Sequence, residues 1–89
     1  MGKLRVYADF YEDFKTAHIS VPTTKQYEEK GVYDNISDIA ERFNYISISG
    51  ASKKPQNFIG TSLNVLIITF RNLADLKKFK ELVTQSYEA

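Results

Sequence analysis

The chain has 89 residues, 43% hydrophobic and 26% charged, with a formal net charge of +1 and no cysteine. That length predicts one small domain over residues 1–89, with roughly 60–65% of the unfolded surface buried: enough for a single core, too little for a deep substrate cavity. The absence of cysteine excludes disulfides, thiolate metal sites and a cysteine nucleophile, and near-neutrality argues against a dedicated duplex-DNA binder.

Met1-Gly2-Lys3-Leu4-Arg5 leads straight into a strand pattern, without the apolar stretch of a signal peptide. Residues 3–11 alternate: Leu4, Val6, Ala8 and Phe10 point one way, Arg5, Tyr7, Asp9 and Tyr11 the other. Period two with β-branched and aromatic residues predicts a half-buried strand. Glu12-Asp13 is a turn, and residues 15–21 alternate again, with Ala17, Ile19 and Val21 opposed to Thr16, His18 and Ser20. The close spacing predicts a hairpin. Pro22 ends the second strand, because it cannot donate to a ladder.

Thr23 and Gln26 have capping-box spacing, and Gly31 can close a short helical turn over 24–30. A helix is predicted over 36–43, capped by Asn35, with Ile36, Ile39, Ala40 and Phe43 as its apolar stripe. A short strand follows at 44–50, with Ile46 and Ile48 inward and Tyr45, Ser47 and Ser49 outward. Residues 51–61 read as a loop, bracketed by Gly50 and Gly60 and interrupted by Pro55. The strand at 62–71 is apolar on both faces, Leu66, Ile68 and Phe70 against Val65 and Ile67, which marks a central position in a sheet. A last helix over 73–87 is capped by Asn72 and buries Leu76, Phe79, Val83 and Tyr87, with Leu73 and Leu82 beside that stripe. Asn35-Ile36-Ser37-Asp38-Ile39 recurs as Asn72-Leu73-Ala74-Asp75-Leu76, each copy after a strand pair and at the opening of a helix.

The order ββαββα predicts an α+β fold: a four-stranded antiparallel sheet with two helices on one face. A right-handed crossover makes strand 3 parallel to strand 2 with strand 4 between them, giving sheet order 1-2-4-3. In topology this resembles the ferredoxin-like arrangement with its last strand moved to the front. Two ββα units with separate sheets are the rival arrangement.

No constellation for catalysis stands out. His18 is the only histidine; beside Asp9 it has the parts of a general base, but the pair reads as an ordinary cross-strand polar pair. Asp9, Glu12 and Asp13 cluster at one hairpin without calcium-loop spacing, and Gly50-Ala51-Ser52-Lys53-Lys54 lacks the glycine spacing of a phosphate loop. No cofactor or metal is expected, and the chain is read as a non-enzyme. The longest apolar run, Val65 to Ile68, is too short to cross a bilayer, so no membrane partner is expected; a chain without cysteine or a signal-peptide pattern is expected in the cytoplasm.

The open sheet face is the candidate site. Arg5, Tyr7 and Tyr11 from the first strand, His18 from the second, Tyr45 from the third, and Val65, Ile67 and Arg71 from the fourth are assigned to it, with Lys53, Lys54 and Phe58 contributing from the loop. Tyrosine and arginine are enriched at binding hot spots, though tyrosine also favours strands for its own sake. The predicted function is protein binding, to a larger protein or to a second copy of the chain. The alternative is a single-stranded nucleic-acid platform, with Tyr7, Tyr11 and Tyr45 stacking bases while Arg5, Lys53, Lys54 and Arg71 meet phosphates.

Overall fold

A computed structural model describes residues 3–53 and 63–89. Strand β1 (Tyr7–Tyr11) turns through a single 3-10 turn (Glu12–Phe14) into β2 (Thr16–Pro22). Lys15 closes that turn with φ 53°, its N–H donating to the Glu12 carbonyl over 3.1 Å. Two helices follow, α1 (Lys25–Glu29) and α2 (Val32–Glu41), then β3 (Tyr45–Lys53), β4 (Leu63–Phe70) and α3 (Leu73–Ser86). All three strand pairings are antiparallel and the order is β1-β2-β4-β3. The expected α+β fold and strand order are therefore present, with α1 as a third, short helix. Among the described residues no helix is long and apolar enough to cross a membrane.

The core lies between one sheet face and the two longer helices. Ala17 and Ile19 from β2 and Leu66, Ile68 and Phe70 from β4 share the covered face, and Ile36, Ile39, Leu76, Phe79 and Val83 reach it from α2 and α3. Phe70 and Phe79, both fully buried, pack with ring centroids 5.2 Å apart. Burying a side chain of that size stabilises the fold by about 2–3 kcal/mol. The Cα frame spans 37 × 31 × 16 Å. Sixteen ångströms suits one sheet and one helix layer, and among the described residues no element packs on the sheet's other face.

Several boundaries differ from the sequence pattern. Helix α2 starts at Val32, four residues before the expected start, because Gly31 takes the left-handed conformation (φ 60°) and lets the chain leave α1 and enter α2 at once. Asn35 is therefore inside the helix and does not cap it. Its Nδ2 donates to the Tyr87 hydroxyl over 2.6 Å, tying α2 to the end of α3. Asn72 does occupy the N-cap position of α3, but its side chain donates to Asp75 Oδ2 at 3.1 Å instead of capping a backbone N–H. The two copies of the sequence echo thus serve different structural positions. Strand β1 is shorter than the 3–11 pattern, and Arg5 forms only an isolated bridge to Glu88. Strand β3 runs on to Lys53, three residues into the expected loop, whose remainder lies outside the described residues.

Candidate functional site

Strand register builds the uncovered face. Directly opposed residues in antiparallel strands project to the same side, so the pairings give transverse rows across the sheet. Tyr11, Thr16, Thr69 and Ser47 make one row; Asp9, His18, Ile67 and Ser49 make the next; Tyr7, Ser20 and Val65 belong to a third. Asp9 is the single formally charged residue in these rows, in a chain that is 26% charged overall. Charge depletion of that kind marks the centre of interfaces.

Local contacts hold the face in shape. The Thr16 hydroxyl donates to the Phe14 carbonyl at 2.8 Å. Its proton is thereby committed, so across the strands at 3.2 Å Thr69 is the donor and Thr16 the acceptor. The Tyr11 and His18 rings meet edge to face, with centroids 5.0 Å apart. Tyr11, Phe14, Thr16 and His18 line a shallow depression of about 400 Å³ at this end of the sheet. His18 is the register partner of Asp9, yet no hydrogen bond joins the two side chains. Among the described residues no cluster of three or more His, Asp or Glu side chains is placed to hold a metal ion. The surface offers aromatic and aliphatic area with scattered hydroxyls, which suits recognition by contact.

The expected site residues divide. Tyr7, Tyr11, His18, Val65 and Ile67 are brought together on the uncovered face. Arg5 is drawn off it: its Nη2 lies 3.0 Å from Glu88 Oε1, beside the end of α3. Tyr45 is displaced by a bulge. The register shifts between Tyr45 and Ser47, leaving Tyr45 opposite Phe70, whose side chain lies on the covered face. The extra residue is Ile46, which was expected inward and is instead 57% exposed. Arg71 sits one residue past β4, exposed, its N–H donating to the Asn44 carbonyl at 2.9 Å. Lys53 ends β3 at the register position of Leu63, while Lys54 and Phe58 lie outside the described residues.

Tyr11 and Tyr45 also belong to an apolar end whose other members, Phe14, Ile46 and Leu73, were not expected at the site. Six large apolar side chains are exposed among the described residues, and five of them, Tyr11, Phe14, Tyr45, Ile46 and Leu73, stand where the β1–β2 turn, the start of β3 and the start of α3 meet. Phe14, at 74% exposed, is the extreme case. The signal available was a phenylalanine inside the charged turn Glu12-Asp13-Phe14-Lys15, where turn formation gives it no role. No family model, no curated protein and no solved structure matches the chain.

Proposed function

We propose that this chain is a non-enzymatic protein-binding module, a regulator, adaptor or inhibitor of a larger protein or a self-associating unit, and that it binds through the uncovered sheet face. The observation that carries the reading is the charge-depleted face, continuous with the exposed apolar end at Phe14 and Ile46. Apolar surface of this extent on a small chain is an interaction site when it is contiguous and rimmed by polar groups. A chain without cysteine suits a reducing cytoplasm.

The test is cross-linked capture from the native host with wild type and with the Tyr7→Ala, Ile67→Ala double variant. Wild type is expected to retain a partner or a second copy that the variant loses, with the variant's circular dichroism unchanged. Equal capture by both removes the reading. Nucleic-acid binding has weaker support, since Arg5 is paired with Glu88 and Tyr45 shares a register position with a core residue. Anisotropy with a single-stranded oligonucleotide is expected to show no salt-dependent binding at low ionic strength.

A further inference from the structure

We propose that the occupant of this face is a second copy of the chain, related by a two-fold axis running parallel to the strands between β2 and β4. The inference rests on the sheet face being the binding surface, and it names what covers that surface.

Such an axis keeps each residue at its level along the strands and exchanges the two sides of the sheet. Strand β1 of one copy then crosses β3 of the other. Four properties of the face are complementary under that exchange. The first is size: Tyr11 on β1 is level with Ser47 on β3, and Asp9 with Ser49, so the large Tyr11 side chain meets a small one.

The second is the apolar end. The β1–β2 turn and the start of β3 stand at the same end of the sheet, on opposite sides. The axis therefore brings Phe14 (74% exposed) onto the partner's Ile46 (57% exposed), covering the two most exposed large apolar side chains among the described residues with each other.

The third is charge. Glu12 and Asp13 are exposed on the turn side of that end and Arg71 is exposed on the β3–β4 side; none of the three makes an ion pair with a described residue. The exchange sets the carboxylates of one copy near the guanidinium of the other. A net charge of +1 per copy leaves little long-range repulsion to oppose association.

The fourth is area. The slab's broad face measures 37 × 31 Å, room for the ~800 Å² per partner of a standard-size interface. Val65 and Ile67 lie next to the axis on β4, one strand-width from their own mates. A two-fold axis across the strands would instead stack β1 on β1 and send the Phe14 end to the opposite end of the partner, leaving Phe14 and Ile46 bare.

The experiment uses the absence of native cysteine. Sedimentation velocity of the whole chain is expected to give a species of twice 10.2 kDa. Under oxidising conditions a mixture of the Phe14→Cys and Ile46→Cys variants is expected to form a disulfide-linked heterodimer, while either variant alone forms little. Arg71→Glu is expected to raise the dimer dissociation constant roughly tenfold, and adding Glu12→Lys to recover most of it. A monomer at 100 μM and above, or a dimer that neither cross-links in the mixture nor responds to Ile67→Asp, overturns the inference. A monomer that still loses a captured host protein through Tyr7→Ala, Ile67→Ala leaves the binding-face reading standing and removes the second copy alone.

Discussion

The hydroxyl end of Tyr33, on α2, occupies the space that a β-carbon on Gly50, on β3, would need. The ring carbon bearing that hydroxyl would be 3.3 Å from such a carbon, already tighter than ordinary contact. Gly50 is the register partner of the buried Leu66, so it faces the helices. The missing side chain lets α2 come down onto the edge strand. Gly50→Ala is expected to destabilise by about 1–3 kcal/mol through overpacking. In a Tyr33→Phe background the same change is expected to cost less, because the colliding oxygen is gone; denaturant melts of the four proteins measure the coupling. Additive effects would place the clash elsewhere.

Asn35 and Tyr87 form a second link between distant elements, through the 2.6 Å hydrogen bond from Nδ2 to the phenol oxygen. Tyr87 is 8% exposed, so losing the partner leaves a largely buried hydroxyl unpaired. Asn35→Ala is expected to cost about 1–2 kcal/mol. Asn35→Ser, which an N-cap would tolerate, is expected to cost nearly as much, since serine is too short to reach. Tyr87→Phe made on top of Asn35→Ala is expected to add less than it costs alone. A serine variant as stable as wild type would return Asn35 to a capping role.

Ile67 and Ile68 are adjacent in sequence and opposite in face. Ile68→Ala, fully buried, is expected to cost about 2–5 kcal/mol through lost burial and a residual cavity. Ile67→Ala is expected to cost about 1 kcal/mol or less in the monomer, measured by urea melts at concentrations low enough to suppress association. Equal costs would mean that the outer face is covered within the monomer.

Gly31 is the junction between α1 and α2, with φ 60° and nothing within 4 Å of the place a β-carbon would take. The penalty for a side chain is therefore conformational. Gly31→Ala is expected to cost about 1 kcal/mol and Gly31→Asn less, because asparagine enters the left-handed region more readily. Thermal melts showing alanine at or above the asparagine variant would contradict this.

The Arg5–Glu88 ion pair is exposed at both ends, with side chains 60% and 58% accessible. Its side-chain contribution is expected to be about 0.2–1 kcal/mol and to fade with salt. Glu88→Gln is thus expected to shift stability slightly at low salt and not at 1 M NaCl. The backbone around the pair matters more, since Val6 N–H donates to the Glu88 carbonyl at 2.8 Å and Glu88 N–H to the Leu4 carbonyl at 2.9 Å.

Alternation and helical period alone determined which side of β1, β2 and β4 meets the helices, and the double-sided apolarity of Val65 to Ile68 was enough to place β4 inside the sheet. Those are properties of a few consecutive residues, and a pleat or a helical turn reads them directly. Tertiary structure alone decided the rest. Asn35 is as good a cap as Gly31 in isolation, and only the packing of α2 on Gly50 and Tyr87 selects the earlier start. Tyr45 and Ile46 depend on one extra residue in a ladder whose other strand lies more than twenty positions away, and a single bulge turns inward into outward. Phe14, Ile46 and Arg71 become neighbours of one sheet end only after β3 and β4 have closed, because proximity across strands is set by long-range register, which no local pattern encodes.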